Sequence, residues 1–190
     1  MESFDSTKLS LYEILRRVQT GQIQLPDFQR GWVWDDGRIK GILASIAKSF
    51  PIGAVMLLET GNETVRFKTK PIEGVKLSIP TKPDLLILDG QQRITSLYQA
   101  IVQNEVVTTR NERGHEIKRW YYIDMSMALD ANADLEEAII SISEKKQITE
   151  NIGRTIILDL STPEHEYKNL MYPVCMLDEY NVWRRGFNTY

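Results

Sequence analysis

Cysteine is almost absent. Cys175 stands alone among 190 residues, so no disulfide closes within the chain and no zinc site can be built from thiolates. His115 and His165 are the two imidazoles, and neither has a second ligand at metal spacing. With 11 Gly and 7 Pro the chain is neither collagen-like nor low-complexity, and 42% hydrophobic against 26% charged residues is the balance of a folded protein. No apolar run is long enough to span a bilayer, and the opening MESFDSTK carries acids where a signal peptide needs an apolar core. A cytoplasmic protein without a membrane partner is expected. An excess of one charge is missing too: 23 basic and 26 acidic residues leave a net −3, which offers no global field to nucleic acid. If DNA is a partner, a local patch or another domain must hold it.

A chain of this length is expected to form one domain with a core that needs no covalent staples. Ser10 and Glu13 have capping-box spacing, and Leu9 and Ile14 have the spacing of a hydrophobic staple. Leu11, Ile14, Leu15 and Val18 then form a helical stripe closed by Gly21. Ile23, Gln24 and Leu25 alternate as a short edge strand stopped by Pro26. Asp35 or Asp36 caps a second helix, whose stripe is Ile39, Ile42, Leu43, Ile46 and Phe50, ended by Pro51. Residues 54–58 and 65–68 read as a hairpin, and the proline-punctuated 71–83 as a surface connection with room for one short strand.

The wholly apolar 85–88 has the composition of a strand buried on both faces. Ile94, Leu97, Tyr98, Ile101 and Val102 follow at helical spacing. A second hairpin joins 106–109 to 117–123 around a polar turn. A helix from Asn132 or Asp134, a strand at 156–158 and a second capping box at 161–164 complete the pattern. The last segment starts as a helix capped by Asp178 and stops abruptly at Tyr190. The expectation is therefore a domain over 1–177, with 178–190 as the start of a helical region in a longer protein. Hairpins mixed with helices argue for an α+β fold rather than an alternating parallel sheet.

Chemistry concentrates in two segments. The first is Asp89-Gly90-Gln91-Gln92-Arg93, set between the buried strand and the third helix. The first N–H groups of a helix lack partners and its dipole is positive there, so this seat suits an anion. Gly90 lets a phosphate approach the backbone, Arg93 adds a guanidinium fork, and Thr95 and Ser96 add hydroxyls. Asp89 stands where a Mg²⁺ ligand or a water-orienting base is needed. The same residues also make an ordinary turn, with Asp as cap, Gly as hinge and Arg93 in a salt bridge. The second segment, Leu25 to Trp34, packs Phe28, Gln29, Arg30, Trp32 and Trp34 together. Its aromatic faces suit base stacking or gating, with Gln29 and Arg30 reaching polar groups; equally, the indoles wedge a helix against a sheet. Cys175 in its apolar run reads as an inert thiol, and Lys145-Lys146 and Arg184-Arg185 are too small to be nucleic-acid patches.

Taken together, Leu-Pro-x-Phe-Gln-Arg-x-x-x-Trp, then Phe-Pro-Ile-Gly, then an apolar strand into Asp-Gly-Gln-Gln-Arg-Ile-Thr-Ser-Leu resemble the N-terminal domain of the GmrSD-type restriction endonucleases. The resemblance runs from about Leu9 to Tyr180. It implies a ParB/sulfiredoxin-like fold, a small mixed sheet with flanking helices and a nucleotide site at the strand–helix turn. In ParB proteins that turn reads Gly-Glu-Arg-Arg; Gly90 and Arg93 match its ends, while Gln91 and Gln92 replace the charged pair. In sulfiredoxins it reads Gly-Cys-His-Arg, and Gln91 stands in the place of the reactive Cys, so thiol redox chemistry does not transfer. The resemblance implies a regulatory domain that binds and hydrolyses a nucleoside triphosphate with Mg²⁺ and belongs to a bacterial anti-phage system. Asp89, Gln92 and Arg93 would be catalytic and Asp89 the metal ligand. Gly90, Gln91, Gln92, Arg93, Thr95, Ser96, Gln29 and Arg30 would line the nucleotide, and Trp32 or Trp34 would stack or gate. It also implies a C-terminal HNH-type nuclease domain or partner subunit, through which DNA would be met. No His-Asn-His pattern occurs in this sequence, so cleavage is not expected of this chain. The rival expectation is a non-catalytic module reading modified bases in DNA.

Overall fold

The computed structural model describes residues 9–61, 67–151 and 153–190. In chain order the elements are α1 (Leu11–Gln19), β1 (Ile23–Pro26), α2 (Asp36–Ala47), β2 (Met56–Glu59), β3 (Thr69–Lys70), β4 (Leu85–Asp89) and α3 (Gln91–Ile101). They are followed by β5 (Val107–Arg110), β6 (Glu116–Asp124), α4 (Met125–Leu129), β7 (Ile139–Ser143), β8 (Gln147–Glu150), β9 (Thr155–Asp159), α5 (Pro163–Lys168), β10 (Met171–Pro173) and α6 (Tyr180–Thr189). The fold is a mixed α+β arrangement of small sheets with flanking helices.

The first sheet has the order β2-β4-β1-β3. β4 runs parallel to β1 (Ile23 opposite Leu85) and antiparallel to β2, whose register shifts between Met56 and Leu57. In the second sheet β6 is central: β7 pairs with Arg119–Ile123, β5 with Glu116–Arg119 and β10 with Tyr122–Asp124. Because β7 overlaps both partners along β6, β5 and β10 must lie one after the other on the opposite edge. β8 and β9 form a separate ribbon.

Local chemistry accounts for the helix ends. Ser10 caps α1, its Oγ accepting from the Glu13 N–H at 3.1 Å, and Asp35 caps α2 by accepting from the Arg38 N–H at 2.9 Å. α1, α2 and α3 then pack Leu15, Val18, Ile39, Leu43, Ile94 and Leu97 against Ile23, Leu25 and Ile87 of the first sheet. Full burial of each such side chain contributes about 1.5–3 kcal/mol. A smaller cluster gathers Tyr122, Ile142, Leu160 and Met171 under the second sheet.

Several expectations are corrected. β1 is not an edge strand but lies between β4 and β3. Gln24 interrupts its apolar pattern yet is buried, because its amide donates to the Gly21 and Thr81 carbonyls at 2.9 and 2.7 Å. Among the described residues the partner of β2 is β4, and β3 lies on the far edge of the sheet. Residues 62–66 of the expected hairpin lie outside the described residues. Phe50 falls beyond α2 and is exposed. No helix starts at Asn132 or Asp134, since the Asp130 and Asp134 carboxylates accept from the Asn132 and Glu136 N–H groups and close turns instead. The short helix of this region, α4, is capped by Asp124. Thr162 rather than Ser161 caps α5. Asp178 does not cap α6 but pairs with Arg16 at 3.1 Å.

One buried carboxylate ties α5 and α6 to the second sheet. Glu166 accepts from the Tyr122 hydroxyl at 3.0 Å and the Trp183 indole N–H at 3.1 Å, with Lys146 at 3.7 Å. Burial raises its carboxyl above the usual glutamate range, although these donors and Lys146 oppose the rise. An acid raised on folding favours the native state most while it is protonated. Its contribution is complete below the unfolded-state value and is lost as pH climbs through the folded one. Wild type should therefore lose stability relative to Glu166→Gln as pH rises from about 4 through the raised folded value. Denaturant unfolding of both proteins across that range checks it; parallel pH profiles would contradict it.

Candidate functional site

β4 delivers its carboxyl end into the turn at Asp89-Gly90, from which α3 begins. Gly90 is the α3 N-cap with φ of +91°, a left-handed conformation that glycine adopts without strain. It has no side chain to satisfy the first N–H groups of the helix, unlike Ser10 and Asp35 on α1 and α2. Facing this turn is the loop from Phe28 to Trp34. Between them opens a cavity of about 500 Å³ lined by Phe28, Gln29, Arg30, Trp34 and residues 88–93. The structure thus brings together the two segments that sequence spacing alone singles out.

Three glutamine side chains hold them there. Gln29 Nε2 donates to the Ile87 and Leu88 carbonyls at 2.7 and 3.0 Å. Gln91, almost fully buried, donates to the Arg30 carbonyl at 2.7 Å. Gln92 pairs with the loop in both senses: its Oε1 accepts from the Val33 N–H at 2.9 Å and its Nε2 donates to the Gly31 carbonyl at 3.2 Å. Lys70 on β3 adds a bond to the Gln29 carbonyl at 2.6 Å. Neutral amides suit this task because each presents both a donor and an acceptor without the desolvation cost of a charge. Composition gave no warning of it; the signal was the need of an irregular loop to satisfy its backbone.

Arg93 is also engaged. Its Nη1 donates to the Ile52 carbonyl at 2.6 Å and its Nη2 to the Ala54 carbonyl at 2.8 Å, with the Asp89 carboxylate farther off at 3.4 Å. The fork clamps the segment between α2 and β2 to the start of α3. Gly53 is required under it: φ is +89°, and a Cβ there would fall on Nη1. The salt bridge to Asp89 weighed from the sequence is thus the weakest contact of this guanidinium. The Asp89 side chain is 74% exposed at the cavity. Arg30 is an exposed member of the lining with no ion-pair partner among the described residues.

The remaining residues lie deeper. Thr95 and Ser96 are fully buried and outside the cavity lining. The Ser96 Oγ donates to the Gln92 carbonyl and accepts from the Trp32 indole N–H, both at 2.8 Å. Their hydroxyls are therefore not placed beside a ligand, because the helical turn that carries them faces the core. Trp32 is half-buried and lines a second cavity of about 350 Å³, while Trp34 borders both cavities. Burial pushes the Cys175 thiol up to about 11, in keeping with an unreactive cysteine.

Residues 11–178 match the family model of the GmrSD restriction endonuclease N-terminal domain. The chain belongs to that family. Membership places it among domains of restriction systems. An uncharacterized protein of Methanocaldococcus jannaschii is 26% identical to the GmrSD-type chain over 99% of the chain's length, and the match covers 32% of that relative. The chain thus spans about a third of the length of the curated relative it matches. Among the described residues no helix of this GmrSD-type domain is long and apolar enough to cross a membrane. Nor is any group of three or more His, Cys, Asp or Glu residues gathered to hold a metal ion. Asp89 fits a Mg²⁺ ion only in the way such ions are commonly bound, by one or two carboxylates with phosphate oxygens and water completing the shell.

Two substitutions test the scaffold. Gln91→Leu leaves the Arg30 carbonyl without its buried donor and should cost about 1–3 kcal/mol in denaturant unfolding, with faster hydrogen exchange across the loop at 28–34. Gly53→Ala must expel the Arg93 fork and should lower the thermal midpoint by more than an ordinary Gly→Ala change at a left-handed site; an unaltered midpoint would contradict the clamp.

Proposed function

We propose that the cavity at the end of β4 binds the phosphates of a nucleoside triphosphate with Mg²⁺, and that this domain hydrolyses it to regulate a nuclease domain elsewhere in the protein. The observation that carries this reading is the open first turn of α3. Its N–H groups meet no capping side chain at a cavity whose lining holds two arginines and one carboxylate. The fold is then read as ParB/sulfiredoxin-like, with the family's Asp-Gly-Gln-Gln-Arg turn as the phosphate seat.

In this reading the Gly90 turn and the first amides of α3 receive phosphate oxygens. Arg30 supplies a guanidinium that can turn to the terminal phosphate, and Arg93 adds positive charge from its fixed position. Asp89 holds the metal or orients the attacking water. Asp89 would hold the ion, which would supply positive charge to offset what develops on the phosphate. Gln92, whose amide is spent on Gly31 and Val33, shapes the wall instead of holding water. Gln29 and Gln91 do the same from either side. Nucleotide turnover would reach a nuclease domain, and through it DNA, by shifting the balance between conformations of the whole protein.

Thermal-shift and calorimetric titration of the four nucleoside triphosphates with Mg²⁺ tests the reading. At least one should stabilise the wild-type chain. Arg30→Ala should weaken that nucleotide roughly 10- to 100-fold, the worth of a hydrogen bond to a charged group. Asp89→Asn should retain binding without Mg²⁺ and lose the gain that Mg²⁺ gives. Equal affinities for wild type and both variants would overturn the assignment.

A further inference from the structure

The loop that faces the phosphate seat ends in an aromatic surface that the reading above leaves unused. Phe28 lines the cavity yet is 65% exposed. Its ring meets Phe67 edge-on, with centroids 5.4 Å apart and planes at 63°. That contact orients the Phe28 ring while leaving most of its surface open to solvent. The turn beneath it is pinned on both sides. Asp27 N–H donates to the Lys68 carbonyl at 2.9 Å, Gln29 N–H to the Pro26 carbonyl at 3.2 Å, and the Gln29 side chain to β4.

The two tryptophans are less available. Trp32 spends its indole N–H on Ser96 and packs against the core, and Trp34 packs against the same core from between the two cavities. A phenyl ring held in water at the mouth of the cavity forgoes apolar burial that a flat ligand laid on that ring would recover.

We infer that Phe28, steadied by Phe67, is the platform on which the base of the bound nucleotide stacks, while its phosphates point toward the turn at Asp89–Arg93. The inference rests on the proposed nucleotide site and adds where the base lies and how it is recognised. A phenyl face offers no hydrogen bonds, so it accepts any base, and purines with their larger rings should gain most.

The test compares each nucleoside triphosphate with inorganic tripolyphosphate, both with Mg²⁺, by calorimetry on wild type, Phe28→Leu and Phe28→Trp. Leucine keeps the apolar bulk and removes the π face. Nucleotides should bind wild type more tightly than tripolyphosphate. Phe28→Leu should cut their affinity about 5- to 100-fold while leaving tripolyphosphate unchanged, and Phe28→Trp should restore it. If the wild-type chain binds nucleotide and Phe28→Leu binds it equally well, the platform is wrong and the nucleotide site stands. If Phe28→Leu weakens tripolyphosphate as much as nucleotide, Phe28 acts through the loop and the inference fails. If Phe28→Leu instead lowers only the affinity for a single-stranded oligonucleotide, the platform serves DNA and the inference fails. If wild type binds neither nucleotide nor tripolyphosphate, the proposed function falls and the inference with it.

Discussion

The pairing of glutamine side chains with backbone across the Phe28–Trp34 loop is the constraint on which this site depends. A loop without regular structure leaves peptide groups that neither a helix nor a ladder can satisfy. Gln91 and Gln92 on α3 reach the Arg30, Gly31 and Val33 peptides, and Gln29 reaches back to the last carbonyls of β4. These bonds fix the width of the cavity, because both of its walls hang from them. Without them the loop would have no reason to stand off from the strand–helix turn instead of collapsing on it.

The arginine clamp works in the same manner on the other wall. Arg93 binds the carbonyls of Ile52 and Ala54, so the segment linking α2 to β2 reports on the state of α3's first turn. A ligand that competed for this guanidinium would loosen that segment; one that used Arg30 would leave it in place. Arg30 and Arg93 therefore divide the work that sequence alone would give to either: one fixed within the scaffold, the other exposed at the cavity.

Burial separates support from chemistry around the turn. Thr95 and Ser96 are buried away from the cavity, Gln91 is a buried part of its wall, and Asp89, Arg30 and Phe28 are its exposed members. The same helix that presents its N-terminus to the cavity gives its other faces to Ile94 and Leu97 in the core. Seating of this kind would serve the proposed nucleotide site, since any reorganisation on binding subtracts from affinity.

The sequence by itself determined the local elements and the family. Capping residues set the starts of α1 and α2, an apolar run announced β4, and the turn at Asp89–Arg93 with the Phe28–Trp34 segment marked the site, because these signals act over a few residues. What it left open required partners far along the chain. Gln24 is buried inside its strand because Thr81, far along the chain, supplies an acceptor, and β1 lies between β4 and β3 instead of at an edge, as strand pairing obeys no local rule. Ser96 and Thr95 read as ligand groups because a hydroxyl looks the same in sequence whether it faces a cavity or a core. Only the packed fold decides which way a helix turns its faces, and with that which polar side chains hold the walls apart and which are left to meet a ligand.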